Sequence, residues 1–537
     1  MSLARDVTTV GSATLGSRLL GFARDMGIAA LLGAGVFSDA FFAVLQITNF
    51  FRRLLAEGAL NAAFVPLWLR IKQIEGRAGV HRFFQQVFSA TLLVGGILAA
   101  GALWFAPALI GLLAPGFGAE RHALATEYLR IVAPYLALTG IVAVLAAALN
   151  AQGRMVAAGL GTVAFNVVLL LALAWIAGLG VTQPSAVGAI LAYAILLAGI
   201  VQLGVTGAGF LQLRRSTGSA GKTGTGSRRE APRWLRGCIH LSPDARRFFL
   251  LAVPGLVAAG IPQLKLIAGA MVASSSQAAV SWLYYANRLY ELPLGVISIA
   301  MASVLVSAIA ASVRSGESAA SAAAQSRGVE IAIGLALPSA VGFAVLAEPI
   351  AAALFERGAF GPRDTAAVAA ALTAICAGLP GHALEKVFGA VSFAHEDTRT
   401  PMLAALVGLA SAVIGSLALF PHYGHVGVAA AIAISGWVGA MILGTILQRR
   451  GWLRLDRDAA RRLPRIVLAA VVMGLSIFAV LALLAPLFNA SGSLARMAAL
   501  VVLVAIGLVT YMASLEVLGA ARMRDLLAAV RNPGPRE

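Results

Sequence analysis

The sequence predicts an all-α polytopic membrane protein, and three observations predict it. The 537 residues are 60% hydrophobic and only 12% charged, with a mean hydropathy of +0.88, which excludes a string of soluble domains of that length. Apolar stretches long enough for a hydrocarbon core of about 30 Å, each roughly 20 helical residues, recur about fourteen times. The basic residues alternate between crowded and nearly empty connections, as expected when successive connections face opposite sides of a membrane.

In order, the spans fall at 7–33, 37–69, 84–113, 122–149, 155–178 and 184–212, then 247–273, 278–312, 328–355, 364–393, 401–421 and 424–447. Two more follow at 465–488 and 497–519, and polar or Gly/Pro breaks separate them all. The opening MSLARDVTTV lacks a charged n-region, short apolar core and small-residue cleavage site, so the first span is expected to stay in the mature chain. This divides the chain into a six-helix lobe at 1–212, a basic Gly/Ser-rich cytoplasmic linker at 213–246, a second six-helix lobe at 247–447, and two further helices with a tail at 448–537. A weak internal repeat crosses the linker. Leu-Ala-Pro-Gly-Phe at 113–117 answers Leu-Phe-Glu-Arg-Gly-Ala-Phe at 354–360, Pro134 answers Pro380, and Gly153-Arg154-Met155 answers Arg399-Thr400-Pro401-Met402. An even number of spans per lobe makes this a parallel repeat about an axis along the membrane normal, as in transporters that rock around a central site.

The net charge of +18 raises nucleic acid as a partner, and the positions of the 41 Lys and Arg residues argue against it. With a cytoplasmic N-terminus, 29 lie in inside segments and only Arg121, Arg357, Arg363 and Arg496 lie outside. Both termini are then cytoplasmic, and the inside clusters face anionic membrane lipid. Cys238 and Cys376 build neither a disulfide framework nor a metal cluster. Ser216 to Thr223 resembles a phosphate-binding loop but lacks its first glycine and the flanking strand and helix, so no ATP site and no cofactor is expected.

Eight basic residues remain inside spans: Arg18, Arg24, Arg52, Arg53, Arg130, Lys265, Arg288 and Lys386. Each costs about 2.5–3.5 kcal/mol on insertion scales, so such residues usually face a bundle interior or a watery cavity. Arg18 and Arg24 lie six residues apart on one helix, where they are able to line two walls of a cleft. Arg52 and Arg53 fall near the middle of the second span. Arg53 pairs easily with Glu57 at i, i+4, which leaves Arg52 available. Asp25 is adjacent to Arg24, but neighbouring positions diverge on a helix, so Arg24 is expected to have no local partner and Asp25 to couple loosely to Arg18 at i+7. Asp39 sits near the outside end of its span. Arg288 and Glu291 form an i, i+3 pair. The bland explanation, snorkelling or helix-to-helix pairing, fits Arg53 and Lys386 best. Deep guanidinium groups with incomplete compensation suit a mobile anion with phosphate oxygens, for which their planar forks are shaped.

These residues also carry a resemblance. Ser17-Arg18-Leu-Leu-Gly21-Phe22-Ala-Arg24-Asp25, Ser38-Asp39-Ala40-Phe41-Phe42, Asn49-Phe-Phe-Arg52-Arg53-Leu-Leu-Ala56-Glu57-Gly58-Ala59 and Phe64-Val65-Pro66 resemble the MurJ/MviN family of lipid II flippases. So do Arg288 with Glu291, Phe355-Glu-Arg-Gly358-Ala-Phe360 and Asp397-Thr-Arg-Thr-Pro401, and the likeness extends over essentially the whole chain. The resemblance implies the fold of the multidrug/oligosaccharidyl-lipid/polysaccharide exporter superfamily, with two lobes around a cavity lined by Arg18, Arg24, Arg52 and Arg288. Ser17 and Asn166 are weaker substrate-binding candidates, and Asp25, Asp39, Arg53, Glu57, Lys265, Asn287 and Glu291 are polar residues of the same cavity. It further implies a bacterial inner-membrane protein that moves lipid II outward without covalent chemistry, with membrane lipids and the cell-wall synthesis machinery as further partners. Two departures stand out. Asn287 precedes Arg288 where many relatives have Asp, and the seventh span carries Lys265 but no carboxylate, which argues against sodium coupling.

Rival classes fare less well. An enzyme acting on polyprenyl phosphates would need a nucleophile, an acid/base pair or a metal set, and His422, His425 and the His395-Glu396-Asp397 turn have no such spacing. An exporter of another lipid-linked oligosaccharide or a small molecule in the same superfamily is the nearer alternative. A membrane scaffold would not explain the deep arginines.

Overall fold

A chain this apolar must satisfy its backbone hydrogen bonds internally, and in lipid a continuous helix does so without partners. The computed structural model describes residues 2–56, 59–218, 242–301, 309, 311–312, 318–490 and 492–520, and no strand occurs among them. The first half contains α1 (Ser2–Leu32), α2 (Val36–Ala56), α3 (Ala59–Ile74), α4 (Gly76–Trp104), α5 (Ala106–Leu113), α6 (Ala119–Asn150), α7 (Met155–Gly178) and α8 (Pro184–Gly218). The second contains α9 (Pro243–Ala273), α10 (Ala279–Ala300), α11 (Ser318–Phe355), α12 (Pro362–Cys376), α13 (Leu379–Ala394), α14 (Arg399–Arg449), α15 (Arg457–Ala490) and α16 (Ser493–Val517). Among the described residues nine helices are long and apolar enough to cross a membrane. The protein is therefore an all-α polytopic membrane protein. Glu57, Cys238 and the phosphate-loop-like segment from position 219 onward lie outside the described residues.

Several expected spans are interrupted. Within the 37–69 stretch, α2 is described to Ala56 and α3 from Ala59, and Arg52 and Arg53 lie in the final part of the described α2. Phe105 separates α4 from α5 just before Pro107, and Ala377 and Gly378 separate α12 from α13. A hydropathy window averages over such breaks. Within α14, Gly424 adopts φ 56 and ψ −139, a combination open essentially to glycine. Gly415 lies against Ala431 and Gly427 against Leu419, so the chain doubles back there into the two expected spans.

Spatial clustering divides the chain into two compact units, 1–267 and 268–537. In the first, α2 packs along α6 and α1 along α7. Its core includes Phe64, Trp68, Phe83 and, from the start of α9, Phe248 and Ala252. The Phe64 ring lies 5.2 Å from Phe83 and 5.9 Å from Phe248, contacts worth about 0.5–1.5 kcal/mol each beyond area burial. Close packing matters more here than water exclusion, because lipid is as apolar as the side chains it would replace. Ser242 Oγ adds a 2.6 Å hydrogen bond to Gln86 Oε1.

In the second unit, α15 and α16 are pinned to α11 and to the residue that follows it. Arg462 pairs with Glu330 at 3.4 Å, the Tyr511 hydroxyl donates to Gly334 O at 2.7 Å, and Arg496 pairs with Glu356 at 2.9 Å. α13 meets α14 backbone to backbone, because a Cβ at Gly381 would stand 2.7 Å from the Trp437 amide nitrogen. Small residues allow such approach, which is how helices adhere within lipid.

Charged clusters in the membrane spans form the candidate functional site

In the first unit α1 and α7 are joined through one arginine. Arg24 is 6% exposed and Asp25 fully buried. Arg24 Nε and Nη2 donate to Asp25 Oδ1 at 2.9 and 2.7 Å, and Nη1 donates to Asn166 Oδ1 at 3.2 Å. Asn166 Nδ2 in turn donates to Ser17 O at 3.1 Å, Ser17 Oγ at 3.3 Å and Thr162 O at 3.3 Å. This corrects two expectations. Arg24 has a partner in its own neighbour, because a guanidinium on a three-carbon stem reaches back across the helix surface even though adjacent Cβ atoms diverge. Asp25 accordingly pairs with Arg24, while Arg18 is exposed on α1.

Arg52 is half-buried, and its Nη2 donates to Asn49 Oδ1 at 3.5 Å, the limit of a hydrogen bond. The buried Tyr135 of α6 feels the charge of both Arg52 and Arg24. Asp39 opens α2, where the helix dipole favours an anion, and its Oδ2 lies 3.4 Å from Arg121 Nη1. Arg121 also donates to Gly116 O and covers the Phe117 ring at 4.8 Å. Arg121 was not singled out from sequence, and a separation of 82 residues leaves no local signal for the pair.

The second unit holds a looser group on one helix. Arg288 Nη1 lies 3.7 Å from Glu291 Oε2, both half-exposed, and Asn287 Nδ2 donates to Glu291 Oε1 at 3.3 Å. The i, i+3 pair expected from sequence is present, and Asn287 joins it. Lys386 Nζ donates to Ser298 Oγ at 2.7 Å. Lys265, at the end of the first unit, is buried in α9. Tyr290, His382 and Glu385 gather nearby, a polar set not singled out in advance, although His382 and Glu385 stand one helical turn apart in an apolar span. Among the described residues no group of three His, Cys, Asp or Glu side chains is placed to hold a metal ion.

At the turn before α14, Asp397 Oδ1 accepts the Arg399 and Thr400 amides at 2.9 and 3.1 Å, and Oδ2 accepts from Thr400 Oγ1 and Arg450. Partial burial works against its charge, but these hydrogen bonds from Thr400, Arg450 and Arg399 outweigh it and hold the carboxyl at about 2.

Bundled helices with charged side chains held inside their spans define a polytopic membrane transporter. The chain superposes with a TM-score of 0.66 on an inward-facing multidrug resistance MATE family transporter of the MOP superfamily, at 18% identity and covering 81% of this chain and 94% of that one. It superposes with a TM-score of 0.75 on a lipid II flippase MurJ in an inward closed conformation, at 21% identity and covering 96% and 99%. The family profile described as lipid II flippase MurJ matches residues 28–502. A probable lipid II flippase MurJ of Rhizobium meliloti is 38% identical over 99% of this chain and 97% of its own length. A lipid II flippase MurJ of Burkholderia cenocepacia is 29% identical over 88% and 89%. The chain belongs to the MurJ lipid II flippase family.

Proposed function

We propose that this protein carries lipid II, an undecaprenyl-diphosphate-linked peptidoglycan precursor, from the inner to the outer leaflet of a bacterial cytoplasmic membrane by alternating access. The observation that carries the reading is the relationship at 38% identity along nearly the full length of both chains. The site chemistry agrees with it. Arg18, Arg52 and Arg288 present guanidinium groups that are exposed or half-exposed inside apolar helices, and a diphosphate accepts several such forks at once. Arg24, with Ser17, Asp25 and Asn166, keeps α1 and α7 in register within the first unit. Asp39, Arg53, Lys265, Asn287 and Glu291 set the local charge. No covalent step is required, and the protein acts as a transporter rather than an enzyme.

The basic-residue distribution supports about fourteen spans with both termini and the 213–246 linker cytoplasmic, and a pair of six-helix lobes at 1–212 and 247–447. The absence of a complete phosphate-binding loop from the sequence and of a carboxylate from the seventh span favours movement driven without ATP or sodium, under the membrane potential or a proton gradient. Depleting the protein and identifying the lipid-linked precursor that accumulates on the cytoplasmic leaflet tests the substrate. Lipid II is the expected species. Accumulation of a different glycan would replace this reading with export of another lipid-linked oligosaccharide.

A further inference from the structure

Three helices of the second unit meet around a polar cluster that anion binding does not use. Tyr290 lies on α10, His382 near the centre of the Pro362–Ala394 span, and Gly436 near the centre of the second arm of α14. The span is broken there between Cys376 and Leu379. A break inside a membrane releases carbonyls that need donors. Trp437 Nε1 donates to Ala377 O at 2.9 Å, and His382 Nδ1 lies 3.0 Å from Gly378 O. A carbonyl only accepts, so in the tautomer that caps the break Nδ1 carries hydrogen, and the Tyr290 oxygen lies 3.0 Å from the same nitrogen. The charge of the ring is then decided at Nε2.

Capping the break accounts for Nδ1 but not for a second ionisable group one turn further along. Glu385 stands at i+3 from His382, on the same face. Both side chains occupy notches left by glycines of α14. A Cβ at Gly436 would collide with the His382 ring, and one at Gly439 would fall 2.9 Å from the Glu385 carboxyl. Ionisable groups from several elements stand around the pair. From α10 come Tyr290, and Glu291 with its partner Arg288; from α12 comes Cys376; α13 itself contributes Lys386, bonded to Ser298. Neither α11 between Glu330 and Glu348 nor α14 between His425 and Arg449 contains an ionisable residue. Carboxylates and histidines set inside spans are the usual material of proton relays.

We propose that His382 and Glu385 form a proton-binding pair that takes up and releases one proton per transport cycle. The pair couples movement of the substrate to a proton gradient, and this coupling rests on the transport function proposed above. Unloaded, the neutral imidazole and the carboxylate carry one negative charge. A proton added at Nε2 or at a Glu385 oxygen makes the pair neutral overall, and its loss to the opposite side restores the charge. No other bond changes.

Proton binding and its coupling are read separately. In the purified full-length chain, infrared spectra recorded across a pH series follow the carboxylic-acid band. The expected result is a titrating band that Glu385→Gln removes and His382→Asn moves to a different pH; no band sensitive to Glu385→Gln would overturn the pair. The Asn variant keeps a side-chain N–H for Gly378 O, so the break stays capped. In vesicles containing lipid II at clamped potential, a pH gradient acidic on the receiving side should accelerate translocation by the unmodified protein several-fold. In both variants the ratio of rates with and without the gradient should fall to about one. A gradient effect undiminished in both variants, or none in the unmodified protein while lipid II still moves, would overturn the coupling. Failure to move lipid II under any condition would count against the substrate reading and leave the infrared titration to decide the pair.

Discussion

In the first unit a guanidinium and a carboxylate are sealed together. The Arg24 and Asp25 side chains are 7% and 0% exposed, 2.7 Å apart, and tied through Asn166 to a second helix. In the second unit Arg288 and Glu291 are 21% and 22% exposed and 3.7 Å apart on a single helix. The two pairs have the same chemistry and opposite consequences. A buried pair held by two helices organises the bundle, and removing either partner strands a charge. A half-exposed pair on one helix surrenders little when a better anion arrives, since its own attraction is weakened by water and by the entropy of two long side chains.

This contrast is open to direct attack. Arg24→Ala should have the largest effect, a loss of about 3–5 kcal/mol because Asp25 stays buried without its cation. Thermal unfolding in detergent measures it, and a midpoint equal to that of the unmodified protein would collapse the distinction between the two units. Arg52→Ala and Arg288→Ala should instead lower lipid II translocation at least about tenfold, the effect of roughly 1.4 kcal/mol of lost anion binding, while changing stability by less than about 1 kcal/mol. If these variants unfold as early as Arg24→Ala, Arg52 and Arg288 are structural as well.

Smaller effects sharpen the comparison. Asn166→Ala removes the acceptor for Arg24 and the donor to Ser17, and should cost about 1–3 kcal/mol, less than Arg24→Ala because Asp25 keeps its cation. Arg496→Ala breaks a partly exposed pair with Glu356, for which a double-mutant cycle should return about 0.2–1 kcal/mol.

The smallest effect expected is a pH dependence at Asp397. Its folded-state pKa of about 2 lies below its ordinary 3.8, so its contribution is complete above the ordinary value and disappears as pH falls through about 2. Unfolding midpoints measured across that acid range should fall less steeply in Asp397→Asn. Equal slopes would show that the cap on α14 carries no linked proton.

The legible parts of this protein were those that depend on near neighbours in sequence. Hydropathy located apolar helices because lipid demands them, and the Arg288–Glu291 pair followed from helical spacing. The spacing rule failed at Arg24 and Asp25, where Cβ directions alone suggested separation and the length of the guanidinium stem decided otherwise. Asp39 with Arg121 and Arg24 with Asn166 join residues 82 and 142 positions apart, and no periodicity records such pairs. The breaks at Phe105 and Gly378 were invisible for a different reason, since a single interrupted turn scarcely changes the mean hydropathy of a span.

The sequence by itself determined that the chain is helical and membrane-spanning, and which arginines lie within apolar stretches. These follow from the cost of bare backbone and unpaired charge in hydrocarbon, properties that each segment carries alone. Only the tertiary structure decided which of those charges are committed to one another, because burial and partnership are properties of several helices at once. It locked Arg24 between α1 and α7, left Arg288 partly exposed beside Glu291, and set His382 and Glu385 into notches made by glycines more than fifty residues away.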